Sequence, residues 1–279
     1  MAALDGELRH FGQEATGDPL ATPSSVRRLA QVSVPWQVGP YFSTLANDPV
    51  LLGRYAQSTG RTTAREEHQQ LARLGTDRGY EICADPQGTV RAVLLDYDEP
   101  SRFVNSSPES FAQCLQELDQ ALRIILGTDQ PQAAADAFAN AEQRLHTVDP
   151  DAFADRENWW PLVLDDIRDT AGTEWYAAFE YVGADGQKQI VTRAGSIGLH
   201  PEERLWSALQ ASGTEPGQVL RIHTELEPCF MPGHYCSLWM AQTFPDTELT
   251  HNFPYGETAE SRAQGIQLLR EAATQPPQQ

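Results

Sequence analysis

Two short stretches in the C-terminal half of the chain constrain its fold more than any other feature. The first is His200-Pro201-Glu202, and the second runs from Pro228-Cys229 to Cys236. Between His200 and Cys229 lie 28 residues, which is enough to finish a helix, turn and run a strand. The chain from Gln218 to Thr224 is typical of that strand, and a proline directly after His200 is typical of a first helical turn. The two stretches therefore predict a unit in which a helix start and a strand end come together.

The pattern H-x-E followed by P-C and a second cysteine resembles the motif of zinc-dependent, cytidine-deaminase-like enzymes. The resemblance implies that His200, Cys229 and Cys236 hold zinc and that Glu202, which is not a ligand, transfers protons. It also implies that a water molecule activated by the metal displaces an exocyclic amine. The alternative for His200 is an ordinary surface histidine.

The spacing of the two cysteines departs from the family pattern. Six residues separate Cys229 from Cys236, four more than usual. His234 lies inside this expanded loop and is chemically competent to replace Cys236 as the third ligand. We favour Cys236, because Ser237-Leu238 continues the helix expected after the second cysteine.

The order of predicted elements extends the resemblance over about residues 172–272. Two strands are followed by a helix from His200 and by a strand that delivers Pro228-Cys229 to the start of the next helix. That helix is predicted from Tyr235 to Met240, and a strand and a closing helix follow it. The sequence Leu226-Glu227-Pro228-Cys229 resembles the segment before the first zinc cysteine in tRNA- and purine-type deaminases. The sequence from Cys236-Ser237-Leu238 to the predicted strand at 249–253 resembles the corresponding segment of bacterial toxin-type nucleic-acid deaminases. The implied fold is a three-layer α/β cytidine-deaminase-like domain.

Three further residues are candidates for substrate binding. Tyr235 and Phe230 lie in the expanded loop and could stack on a base, although a core role is equally compatible with the sequence. Glu225 belongs to His223-Thr224-Glu225, a second H-x-E that is too close to Cys229 for a strand to fit between them. We interpret Glu225 as a substrate contact at the pocket rim, or as part of a solvated strand face.

The N-terminal half carries a different pattern. Asp85-Pro86-Gln87-Gly88 predicts a hairpin between strands at 81–84 and 89–95. The run from Phe103 to Phe111 predicts a helix capped by Ser106 or Ser107. That helix has an apolar face formed by Phe111, Cys114, Leu115, Leu118, Leu122 and Ile125. This segment resembles the SUKH superfamily of bacterial immunity proteins, which implies an α+β protein-binding module without catalytic residues.

These patterns divide the chain into five expected segments. Residues 1–30 are a flexible N-terminus, 31–128 the SUKH-like domain and 129–150 a linker with an alanine-rich helix. Residues 151–273 are the zinc domain, beginning with a helix from Asp151 to Asp169, and 274–279 are a disordered tail.

The net charge and the cysteine content argue against several classes of protein. The net charge is −19, with −7 from residue 171 onward, so the chain lacks the basic surface of a duplex binder. Four scattered cysteines do not make a disulfide framework. No signal peptide or membrane span is apparent in the sequence. We therefore expect a cytoplasmic protein with no membrane partner.

We expect conversion of cytosine to uracil in single-stranded nucleic acid, DNA before RNA, with a possible protein partner for the first half. The alternatives are deamination of a free nucleoside or nucleotide, which the acidic charge favours, and an inactive, zinc-stabilised immunity or regulatory protein.

Overall fold

The computed structural model describes residues 8–11 and 23–274 and combines helices with sheets. Contacts divide the chain into two compact units between Leu164 and Asp165. Most of the expected flexible N-terminus and all but one residue of the expected tail fall in 1–7, 12–22 and 275–279, outside the described residues. No helix in the described ranges is both long and apolar enough to cross a membrane.

Twelve strands and eight α-helices are found in the described residues. The strands are β1 (Leu8–His10), β2 (Ser33–Pro35), β3 (Gln37–Val38), β4 (Phe42–Ser43), β5 (Ala72–Thr76), β6 (Glu81–Ala84), β7 (Val90–Val93), β8 (Arg102–Asn105), β9 (Tyr176–Val182), β10 (Lys188–Ala194), β11 (Val219–Leu226) and β12 (Glu248–Phe253). The helices are α1 (Ser24–Arg28), α2 (Leu52–Ser58), α3 (Pro108–Gly127), α4 (Pro131–Val148), α5 (Trp159–Gly172), α6 (Pro201–Ala211), α7 (Cys236–Thr243) and α8 (Ala259–Thr274).

The first unit is built on an antiparallel sheet of six strands in the order β3-β4-β5-β6-β7-β8. The predicted hairpin joins β6 to β7. The Asp85 carboxylate accepts hydrogen bonds from the backbone amides of Gln87 and Thr89, each at 2.9 Å. Gly88 takes a φ of 98°, which glycine adopts without steric cost. The turn chemistry therefore fixes the register of the two strands.

The predicted helix of this unit is α3, which begins after Ser107. The Ser107 hydroxyl accepts a hydrogen bond from the Ser110 amide at 3.1 Å and caps the helix. All six residues of the predicted apolar face are buried. The alanine-rich helix is α4, and it packs along α3 rather than standing apart as a linker.

Residues near the N-terminus are also ordered parts of this unit. Strand β1 pairs with β2, and Arg9 is 2 % exposed, with its guanidinium bonded to the Thr44 hydroxyl at 2.6 Å. For residues 8–11 and 23–30 the structure thus differs from the flexible segment that the sequence suggested.

Helix α5 starts at Trp159, eight residues after the predicted start. A short 3₁₀ turn at Pro150–Phe153 and a turn in which Asp155 accepts a bond from the Glu157 amide occupy the intervening chain. The first residues of α5 belong to the first unit, where the Trp159 and Trp160 indoles donate to Asp77 and Asn105, both at 2.7 Å. The rest of α5 belongs to the second unit.

The second unit contains a four-stranded sheet in the order β10-β9-β11-β12. Strand β9 is antiparallel to both neighbours, whereas β11 and β12 are parallel and α7 lies in the crossover between them. The order of elements from β9 to α8 is the order that the sequence predicts. Strand β11 ends at Leu226, which leads the chain directly into the loop that carries Cys229 and ends at α7, where Cys236 is the first residue.

Candidate metal centre

His200 lies at the start of α6 in an extended conformation that ends the preceding loop. Pro201 occupies the first helical position, where a missing amide hydrogen is tolerated. The side chain of Glu203 reaches back to the His200 backbone amide at 3.3 Å. The imidazole of His200 is therefore fixed at a helix N-terminus, and the residue is 2 % exposed.

Two buried thiols face one nitrogen of this imidazole. The sulfurs of Cys229 and Cys236 each lie 3.4 Å from Nδ1 of His200, and all three atoms lie within 4.8 Å of one another. Cys236 is the first residue of α7, close to the helix predicted from Tyr235 to Met240, and Cys229 lies in the loop before it rather than at the helix start. One nitrogen and two sulfurs at this spacing are a donor set suited to zinc.

Glu202 is buried beside this cluster, with 3 % of its surface exposed. Its Oε2 atom has no hydrogen-bond partner among the residues that the structure describes. A buried polar atom without a partner is costly and calls for an explanation in a ligand, ion or water. The donor set and this carboxylate oxygen together fit a metal centre that holds a water molecule.

Two carboxylates, those of Asp166 and Glu203, contact the histidines. Asp166 Oδ1 lies 2.9 Å from Nε2 of His200, and its Oδ2 lies 3.1 Å from Nε2 of His234. Nδ1 of His234 lies 2.7 Å from a Glu203 carboxylate oxygen. The two imidazoles stack with their centroids 3.9 Å apart and their planes 8° apart. His234 thus has carboxylates at both nitrogens, whereas Cys236 lies against Cys229 and His200.

The pKa values reflect this concentration of charge. Burial alone would raise the pKa of Asp166, but the charges of His234 and His200 outweigh it and hold the pKa well below its usual range. Burial and the charge of His200 would lower the pKa of His234, yet Asp166 and Glu203 raise it to about 9. The two carboxylates therefore favour the protonated form of His234.

Burial and neighbouring charges also shift the pKa values of Cys229 and Glu202. Burial raises the pKa of Cys229, but a hydrogen bond from Cys236 and the charge of His200 outweigh it, so the net shift is downward. Burial also raises the pKa of Glu202, and the nearby His200 offsets this only in part. A thiolate beside an imidazolium is a site where a divalent cation can take the place of the shared proton.

Each half of the chain matches the model of a known protein family. Residues 8–166, more than half of the chain, match the model of the SUKH-4 immunity protein. The chain belongs to the SUKH-4 immunity protein family. Residues 172–272 match the model of a Xanthomonas-like deaminase, so a deaminase-family domain follows the SUKH-4 region. No curated protein gives a significant match.

Both predicted resemblances are confirmed, and the SUKH-4 match is wider than the predicted segment 31–128. It takes in β1 at one end, and α4 with the first part of α5 at the other. Strand β1, helix α4 and α5 as far as Leu164 all belong to the first unit. The candidate metal centre lies in the second unit, which contains the whole of the deaminase match.

A cleft of about 320 Å³ lies in the deaminase domain between the α5–β9 and β10–α6 connections. Residues 170–175 and 195–197 line it. Trp175 belongs to this lining, and its ring packs edge-on against the His200 imidazole with centroids 5.5 Å apart. The cleft therefore borders the metal centre through one aromatic side chain.

The three predicted substrate residues occupy two different environments, and the nearby His223 occupies a third. Tyr235 is 1 % exposed and has a φ of 45°, and Phe230 packs edge-on against it with centroids 5.2 Å apart. Glu225 is half-buried in β11 and accepts a hydrogen bond from the Tyr176 amide at 2.7 Å. His223 bonds to the Thr250 hydroxyl at 2.9 Å, away from the thiols.

Sequence reasoning missed Asp166, Glu203 and Trp175. Glu203 carried a local signal, because an acidic residue at the third helical position commonly reaches back to the helix start. Asp166 precedes His200 by 34 residues in another helix, and no motif links the two. Only the tertiary fold brings it to the histidines.

Proposed function

We propose that the C-terminal unit is a zinc-dependent hydrolytic deaminase of a nucleobase, with the three-layer cytidine-deaminase-like fold. The observation that carries the proposal is the buried Glu202 oxygen without a partner among the described residues, beside a converging imidazole and two thiols. A structural metal site needs no carboxylate of this kind. The match to a deaminase family supports the same reaction class.

His200, Cys229 and Cys236 would hold the metal. His234 is the weaker candidate for the third ligand, because carboxylates face both of its nitrogens. Bound zinc supplies Lewis-acid activation of a water molecule near neutral pH. The residues themselves keep the donor atoms together and exclude bulk solvent, since all three are at most 2 % exposed.

Glu202 is the proposed general base and acid. Its carboxylate takes a proton from the attacking water and delivers it to the ring nitrogen, and a further transfer protonates the departing amine. The new bond joins the water oxygen to the ring carbon, and the bond that breaks releases ammonia. The raised pKa that burial gives Glu202 suits a group that must both accept and return a proton.

Cytosine in single-stranded nucleic acid, DNA before RNA, is the proposed substrate. The resemblance of the segments after Cys236 to toxin-type deaminases supports it. A free nucleoside or nucleotide is the alternative, which the net charge of −19 favours because a strongly acidic chain repels a polyanion. The cleft lined by Trp175 is the proposed place for the base. Phe230, Tyr235 and Glu225, the contacts that the sequence predicts, are not among the residues that line this cleft. A reducing cytoplasm belongs to the proposal because both cysteines must stay reduced.

The SUKH-4 region supports a second function, the binding of a protein partner. Membership of an immunity-protein family favours this role for the first unit. Proteins captured by the full chain should be lost when residues 8–158 are removed and kept in the Glu202→Gln variant. A partner that also binds the shortened chain would contradict this assignment.

The deaminase proposal is tested by presenting the zinc-loaded chain with cytosine and adenine in single-stranded DNA, RNA, duplexes and free nucleosides or nucleotides. Ammonia release is measured for wild type and for Glu202→Gln, which keeps the side-chain size. We expect the variant to keep its zinc and to lose at least about 10²-fold in rate on the active substrate. Glu260→Gln is the matched control, because Glu260 is an exposed glutamate in the first turn of α8.

Two results would contradict the proposal. Undiminished ammonia release by Glu202→Gln would remove this residue from the reaction. A zinc-loaded wild type that releases no ammonia from any of these substrates would favour the inactive, zinc-stabilised binding protein.

A further inference from the structure

Asp166 makes contacts that the deaminase motifs do not predict. Its side chain is 1 % exposed, and it lies in α5, six residues before the deaminase match begins. Each of its two carboxylate oxygens faces a different buried histidine.

The first contact determines which nitrogen of His200 faces the thiols. Nε2 lies 2.9 Å from Asp166 Oδ1, and Nδ1 on the opposite side of the ring lies 3.4 Å from both sulfurs. An imidazole that donates Nε2–H to a carboxylate presents Nδ1 with its lone pair to a metal. The carboxylate also fixes the rotation of the ring.

The second contact positions the loop between the cysteines. Asp166 Oδ2 lies 3.1 Å from His234, and Glu203 holds the other nitrogen of that ring at 2.7 Å. His234 stands two residues before Cys236, and its ring stacks on His200. One carboxylate thereby fixes both the histidine ligand and the loop that joins the two thiol ligands.

We propose that Asp166 is the positioning residue of the metal centre, orienting His200 directly and the Cys229–Cys236 loop through His234. The inference rests on the proposed function in so far as these three residues hold a metal. It extends the functional deaminase N-terminally beyond the matched residues 172–272, into the helix where the SUKH-4 match ends.

A buried ion pair with only a structural role would alter the stability of the chain but not its affinity for a metal. The test therefore measures metal affinity of the full chain, by competition for Zn²⁺ against a chromophoric chelator, and records the thiolate-to-metal absorption of the Co²⁺-loaded form. Asp166→Asn keeps the shape but has a single oxygen, so it cannot accept hydrogen bonds from both imidazoles. Asp165→Asn is the matched control, because Asp165 is the neighbouring residue and pairs with Arg168 at 2.6 Å instead.

We expect Zn²⁺ affinity about 10- to 100-fold weaker in Asp166→Asn, as is typical for loss of a carboxylate behind a histidine ligand. We also expect an altered Co²⁺ spectrum, with neither change in Asp165→Asn. A folded Asp166→Asn chain with wild-type affinity and spectrum would overturn the inference. Affinity is read without substrate, so an absence of deamination in a metal-binding wild type would contradict the proposed function alone.

A measurement on the wild type covers the case in which Asp166→Asn does not fold. Long-range ¹H–¹⁵N correlation spectra of the Zn²⁺-loaded chain report the protonation of each histidine nitrogen. We expect His200 to carry its proton on Nε2, because Asp166 Oδ1 faces that nitrogen at 2.9 Å. Zinc bound through Nε2 of His200, or through His234, would overturn the inference.

Discussion

The choice between Cys236 and His234 as the third ligand is the sharpest question at the scale of single residues. Cys236 lies 3.4 Å from His200 Nδ1, whereas His234 is surrounded by carboxylates. We expect Cys236→Ser to purify with little or no zinc, and His234→Ala to retain one equivalent at saturating metal, as measured by elemental analysis. Cys114→Ala, in the core of the first unit, is the control and should be unchanged. Zinc loss from the histidine variant alone would reverse the assignment.

Asp169 gives the second unit a predictable pH dependence. Burial raises the pKa of its carboxyl to about 6, although a hydrogen bond from the Tyr255 hydroxyl at 2.7 Å works in the opposite direction. An aspartate in the unfolded chain ionises near pH 4, so between these values the folded state binds more protons and its stability falls as pH rises.

Asp169→Asn should remove this dependence. From about pH 5 to about pH 7.5, wild type should lose about 1 kcal/mol of unfolding free energy relative to the variant. Hydrogen exchange of amides in β9 and β11, compared between the two chains at each pH, measures the difference. An equal response of the two chains would show that Asp169 ionises at its ordinary pH.

The spacing of residues in the sequence is sufficient to identify candidates for the metal centre, because the residues of each motif lie close together in the chain. These candidates are His200, Glu202, Cys229 and Cys236. The spacing does not identify Asp166, because that residue reaches the site only when α5 packs beside the start of α6. The burial of Tyr235 could not be predicted either, because the sequence of a loop does not show whether an aromatic side chain faces the substrate or the core.

At the scale of elements, α5 is the helix on which the second unit depends. It supplies Asp166 to the histidines, Asp169 to Tyr255 and the Thr170 hydroxyl to the Gly198 amide at 3.1 Å. We therefore expect a fragment spanning 151–279 to fold and bind zinc. A fragment spanning 172–279 contains the whole deaminase match but should fail to bind zinc at micromolar metal.

The fragment design follows from the position of the division. Trp159 and Trp160 contact the first unit, so both are changed to serine to avoid exposing two large apolar side chains. Circular dichroism and zinc stoichiometry are the readouts, and the 151–279 fragment carrying Asp166→Asn is the control. Tight zinc binding by 172–279 would show that α5 is dispensable.

Elements with strong local signals are predicted well. The β6–β7 hairpin and the capped helix α3 follow from turn residues, a capping serine and apolar periodicity. The start of α5 was predicted eight residues early, because Pro150 and the acidic residues after it are also typical of a helix start. The helix predicted from Tyr235 to Met240 is α7, which begins at Cys236, and the expanded loop leaves Cys229 before the helix rather than at its start.

At the scale of the whole molecule, the family layout could be predicted from the sequence, but its boundaries could not. The composition change near Pro150 suggested a division there, whereas contacts place it after Leu164. Helix α4 has few large apolar residues and resembles a linker in sequence, yet it packs on α3. Packing partners, rather than composition, decide where a unit ends.

The acidic balance of the molecule bears on substrate choice. The second unit has 16 acidic and 7 basic residues, so it lacks the charge to collect nucleic acid from solution. A nucleic-acid substrate would have to be held by local contacts in the cleft, and a nucleoside would face no such repulsion. Relative rates on the two substrate classes are therefore informative in themselves.

Hydrolytic deamination replaces an exocyclic amine of a base with oxygen from water, and an isotope experiment tests directly whether this protein does so. The zinc-loaded chain is incubated in ¹⁸O-water with each substrate class, and the products are analysed by mass spectrometry. Deamination in ordinary water adds roughly 1 Da, and the heavy isotope adds roughly 2 Da more. We predict this labelled product with wild type and its near absence with Glu202→Gln at equal zinc content. An unchanged base with every substrate, or a deaminated base without the label, would contradict the account.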